Sequence, residues 1–153
     1  MFPDDLIWEN WNSDESLEVP PNAVCGGIDA DRSRIYIGRV FHENHLLPAK
    51  IIPKKKNAFV AYGGQEHKKS SAQILIENDQ NRFEWIEKQG PSIPPNAVKG
   101  GTTELGEPLY IGRVWFKGSK TIGKIHPSHG CLYIAFDGLE YGFKKYEIFV
   151  RKE

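Results

Sequence analysis

The chain has 153 residues, with 20 Lys+Arg balanced by 20 Asp+Glu, 5 His, 2 Cys and a hydrophobic share of 39%. That length supports one core, or two small ones, and the composition is that of a globular chain. Balanced charge argues against a protein whose main work is gripping nucleic acid, which needs a surplus of Lys and Arg. No apolar run approaches the ~20 residues of a membrane-spanning helix, and two cysteines cannot build a disulfide framework.

Met1 to Glu18 is acidic, with no Lys or Arg. This is the wrong sign for a secretory or mitochondrial leader, so the reading places the chain in the cytoplasm. The region of Trp8 and Trp11 is the first strand-like segment. Arg34 to Phe41, Ala58 to Tyr62 and Gln73 to Glu77 follow as short runs rich in Ile, Val, Tyr and Phe, bounded by Gly, Pro, Asn and Lys. Asn78 to Asn81 is a polar turn-like break. Arg82 to Glu87 mostly alternates polar and apolar, as a strand with one wet face does. Leu109 to Phe116, Leu132 to Phe136 and Glu147 to Val150 complete the series. No segment shows a capped helical period.

The second half repeats the first. Val19-Pro20-Pro21-Asn22-Ala23-Val24-Cys25-Gly26-Gly27 returns as Ile93-Pro94-Pro95-Asn96-Ala97-Val98-Lys99-Gly100-Gly101, and Tyr36-Ile37-Gly38-Arg39-Val40 returns as Tyr110-Ile111-Gly112-Arg113-Val114. Lys50, Ile51 and Pro53 match Lys124, Ile125 and Pro127, while Gly64 and Glu66 match Gly138 and Glu140, all at an offset of 74. Between residues 19 and 66, 18 of 48 positions equal their partners, far above chance. The expected organisation is two repeats, 6–79 and 80–153, of about five short antiparallel strands each. About 74 residues is near the lower limit for an independent core, so the two pack as one compact all-β unit.

These motifs at this spacing resemble the DM-nine repeat family, here as a tandem pair. The resemblance implies an all-β fold of two pseudo-symmetric repeats and a non-enzymatic, mannose-type lectin acting in recognition of microbial surfaces or innate immunity. Other members respond to infection inside the cell. The alternative function is therefore an intracellular protein- or membrane-interaction module without sugar binding. In sugar-binding members the resemblance points to an Asp after the Gly-Gly and to a later Lys, here Asp29 and Lys50. In the second repeat these are Thr103, with Glu104 beside it, and Lys124. A carboxylate and an ammonium suit vicinal hydroxyls, which donate and accept at once. One such shallow site would bind at ~mM, about 4 kcal/mol, and two sites would add avidity.

Other clusters read more plainly. His42-Glu43-Asn44-His45 and His126-Pro127-Ser128-His129-Gly130-Cys131 are loop histidines, since the two clusters are not equivalent under the repeat, and neither a metal nor a cofactor is expected. Cys25 and Cys131 have no repeat partner and no nucleophile motif, so no enzyme activity is expected; their pairing stays open. Lys54, Lys55 and Lys56 are a candidate contact for an anionic membrane surface, and a homodimer fits the reading. Trp8, Trp11, Trp85 and Trp115 are read as core, and Arg39 and Arg113 as structural contacts.

Overall fold

A computed structural model describes residues 5–152; Glu153, the last residue of the expected second repeat, lies outside them. The described residues hold fourteen strands and no α-helix. The first seven are β1 (Ile7–Asn12), β2 (Cys25–Ile28), β3 (Arg34–His42), β4 (His45–Ile52), β5 (Asn57–Tyr62), β6 (Gln65–Lys69) and β7 (Ser71–Ile76). The second seven are β8 (Phe83–Gln89), β9 (Lys99–Thr102), β10 (Pro108–Phe116), β11 (Ser119–His126), β12 (Cys131–Phe136), β13 (Leu139–Phe143) and β14 (Lys145–Arg151). The fold is therefore all-β with two pseudo-symmetric halves, as the sequence implies, with seven strands per half rather than about five.

The additional strands are those whose composition hides them. β2 and β9 carry the Gly-Gly pairs, β4 contains Pro48, and β6 is almost wholly polar. Glycine, proline and charged residues are depleted in strands, and here tertiary pairing overrides propensity.

The strands close on themselves. β3 pairs with β2, β2 with β11, β11 with β12, β12 with β13, β13 with β6, β6 with β5, β5 with β4, and β4 returns to β3. Each half thus supplies strands to one hydrogen-bonded ring, and ring closure removes exposed edges. The flanking ribbons β1–β7–β3 and β8–β14–β10 extend from it.

Three contacts between the halves repeat with two-fold symmetry. Ile28 of β2 pairs with Lys120 of β11, and Thr102 of β9 pairs with Leu46 of β4. A side chain at Gly27 would collide with the Lys120 carbonyl, and one at Gly101 with the Leu46 carbonyl, so each Gly-Gly is where the other half's backbone lies closest. The Glu66 carboxylate accepts from Gly138 N–H (3.1 Å) and the Glu140 carboxylate from Gly64 N–H (2.9 Å). The Gly-x-Glu motif of each half therefore caps the hairpin of the other.

The central core mixes Ile35, Ile37 and Leu75 with Ile111, Ile122 and Phe149. An isolated fragment of residues 80–152 lacks the partners of β9, β11 and β13 and is expected to show no cooperative thermal transition by circular dichroism.

Of the tryptophans, Trp11 is buried, whereas Trp115 is 60% exposed, as is its counterpart Phe41 at 72%. Both sit near hairpin tips, so Trp115 is not core. The guanidinium of Arg113 lies 4.1 Å from the Trp85 ring, binds Glu147 (2.7 Å) and donates to the Gly26 carbonyl (2.8 Å). It is a structural contact joining the halves.

Candidate functional site

Each candidate site gathers residues from both halves. Asp29 follows β2 in the turn before β3, and Lys50 lies on β4. Both are buried, at 5% and 4% exposure. The Lys50 ammonium donates to Thr121 Oγ1 (3.0 Å) and to the Ala135 carbonyl (2.6 Å), both from the second half. Its charge also lies between the rings of Phe59 (5.7 Å) and Phe136 (5.3 Å). Among the described residues Lys50 makes no ion pair within 4 Å; Glu66 and Asp29 act on it only at longer range. Burial pushes its pKa down to about 8, against the pull of those carboxylates.

Asp29 is paired with Lys55, 2.6 Å away in the 3₁₀ turn Pro53–Lys55, and accepts from Ala30 N–H (2.9 Å). Burial raises its pKa, but Lys55 and the Ala30 N–H hold it, on balance, below the usual carboxylate range. Ser119 of the second half also interacts with this carboxylate. One member of the lysine run, Lys55, is thereby tied to the site, while Lys54 lies 3.9 Å from Asp31 in the neighbouring turn.

The second site differs for a traceable reason. Position 47, the counterpart of Thr121, is leucine. With no hydroxyl to accept its proton, Lys124 pairs with Glu140 (3.3 Å) and lies over Tyr62 (5.5 Å) and Tyr133 (5.6 Å). Burial lowers its pKa too, with Glu140 opposing. Thr103 serves the turn: its hydroxyl accepts from Glu107 N–H (3.0 Å). Glu104 donates its backbone N–H to His45 Nδ1 (3.0 Å). The carboxylate missing at position 103 reappears four residues on. Glu107 binds His126 Nε2 (2.9 Å) and the Ser128 N–H (2.8 Å).

The structure thus brings Asp29 together with Lys55 and places Lys50 among acceptors from the other half. Thr103 and Glu104 lie in a turn beside His45 rather than on Lys124. Sequence reasoning missed Thr121, Lys55, Glu107 and Tyr62. In the sequence Lys55 is one of three lysines read as a membrane contact, and Thr121 is matched in the repeat by Leu47, which carries no acceptor. Cys25 is exposed and Cys131 buried, both as free thiols. Among the described residues no three His, Cys, Asp or Glu side chains gather in a metal-holding group.

The geometry defines a class, a duplicated β-ring with a buried lysine site shared between its halves. The DM9 repeat family model matches residues 29–143, and the chain belongs to that family. It is 30% identical to Natterin-4 of Thalassophryne nattereri over 150 residues, covering 94% of this chain and 33% of that protein. It is 33% identical to Natterin-3 of the same organism over 144 residues, covering 94% and 36%. The chain therefore spans about a third of the length of these relatives. Among solved structures, that of the nematode sperm cell motility protein MFP2B superposes with a TM-score of 0.65 at 15% identity, covering 96% of this chain and 47% of that one, a likeness of fold.

Proposed function

We propose that this chain is a non-enzymatic, lectin-like binding module that takes mannose-type sugars at Asp29 and Lys50, with a second site at Lys124, in recognition of microbial surfaces. Membership of the DM9 family supports a binding role. The observation that carries the sugar reading is the Lys50 ammonium. It is buried, its two protein acceptors are neutral, and no carboxylate neutralises it at contact distance. An ammonium has three N–H donors, two of which are used, and the third suits a sugar hydroxyl whose own proton goes to a carboxylate.

Calorimetry with mannose, glucose and galactose tests this. Millimolar binding that prefers mannose, and drops from two sites to one in Asp29→Ala, supports it; no heat with any sugar at millimolar ligand refutes it.

The pH dependence has a defined sign. Lys50 titrates at about 8 in the folded protein, so its charge is present below that pH. Sugar affinity at the first site should fall as pH rises through about 8. Stability moves the other way: between about 8 and the ordinary lysine value the unfolded chain holds the extra proton, so this group adds stability as pH rises there. Titrating mannose binding from pH 7 to 9.5, alongside melting curves, separates the two.

A further inference from the structure

All five histidines of the chain gather around the Lys124 site. His126 and His129 stack at 3.7 Å, and His129 Nδ1 lies 2.9 Å from the Tyr133 hydroxyl. Lys124 spans Tyr133 and Tyr62. On the other side the Tyr62 hydroxyl meets His45 Nε2 at 3.3 Å, and His67 Nε2 meets the Tyr62 carbonyl at 3.0 Å. His42 packs on His67 at 4.3 Å, and its own Nε2 is buried without a hydrogen-bond partner. The matching positions around Lys50 are Phe116, Ser119, Tyr141, Ile52 and Lys55, so none of these imidazoles is a requirement of the fold.

We propose that the Lys124 end of the ring is an acid-dependent site for a saccharide bearing an oxyanion, a carboxylate or a sulfate ester. At neutral pH three carboxylates, Glu43, Glu107 and Glu140, lie among these groups against two ammonium charges, Lys69 and Lys124. Imidazole is the side chain whose ordinary charge change falls between pH 5 and 8, and five imidazolium charges reverse the local sign. Burial holds His42 and His126 below the ordinary imidazole value: Lys69 and His67 reinforce this at His42 and Glu43 opposes it, while at His126 Glu107 opposes it and His129 and Lys124 reinforce it. These two therefore charge more readily once an anion supplies the missing counter-charge. His45 adds a positional effect. Its Nδ1 accepts from Glu104 N–H, so a proton on Nδ1 breaks that bond, and an oxyanion between the two groups accepts from both.

This reading rests on the Lys124 end being a ligand site, and it is independent of mannose binding at Lys50. Calorimetry of the whole protein with methyl glucuronide should show at least tenfold tighter binding at pH 5.5 than at pH 7.5. The triple substitution His42→Phe, His45→Ser, His67→Tyr installs the residues found around Lys50 and should reduce that change to less than twofold. A wild-type affinity that does not change with pH overturns the proposal, as does a triple variant that keeps the full change. Inorganic sulfate binding as tightly as the glucuronide overturns the saccharide assignment. NMR titration of the wild-type imidazoles needs no variant: by reciprocity the glucuronide must raise their midpoints, and unmoved midpoints overturn the proposal. Mannose binding at pH 7.5 by a Lys124→Met variant, run alongside, reports on the Lys50 site alone.

Discussion

Gly101→Ala should lower the unfolding free energy by about 3 kcal/mol, the upper range for overpacking a close contact. The added methyl meets the Leu46 carbonyl, a backbone atom held in a strand pair with Thr102. A side chain could swing away, but a carbonyl fixed at a seam between the halves can yield only by parting β9 from β4. Gly27→Ala meets the Lys120 carbonyl in the same way and should cost a similar amount. Gly142→Ala is the control. Its new methyl would approach only the Tyr133 ring edge at 3.3 Å, and its φ is not positive, so it should stay within about 1 kcal/mol. Urea denaturation of the three variants gives the comparison. Equal midpoints would show that the seam is loose.

Lys50→Met should weaken mannose binding by about 2 kcal/mol, roughly 30-fold, the value of a hydrogen bond from a charged donor. Folding stability should change little. Methionine fills the space and removes the cost of burying an ammonium, which offsets the loss at Thr121 Oγ1 and the Ala135 carbonyl. Binding and melting measured on one preparation distinguish a binding lysine from a structural one. A variant that binds as well as the wild type would remove Lys50 from the site. One that melts far lower would make the residue a core element.

Much of the fold is legible in the chain because duplication shows which features recur. Tyr36 to Val40 and Tyr110 to Val114 are visible as strands because their apolar residues face a core, and Gly-x-Glu is visible as a matched motif. Its partner is not: Glu66 caps Gly138 rather than its own hairpin, and no local pattern records a contact between halves. The site is legible only in part for the same reason. Lys50 stands out as a repeated residue, whereas its acceptor Thr121 comes from the other half, where the repeat has Leu47. The histidines fall into separate segments, 42–45, 67 and 126–129, and only ring closure brings them around one lysine. Trp115 reads as core because tryptophans are highly buried on average, and its apolar repeat counterpart Phe41 supports the same expectation, yet both are exposed at hairpin tips.

Asp5 binds Arg151 at 2.6 Å and Arg82 at 2.9 Å, and Lys152 N–H donates to the Arg82 carbonyl at 2.7 Å. The first described residues, the last ones and the mid-chain crossing thus meet at one place. A circular permutant that joins 152 to 5 and opens at Asn78 would keep every strand beside its present neighbours. In that sense the sheet has no beginning, and which half is made first by the ribosome is a matter of genetic order rather than of architecture.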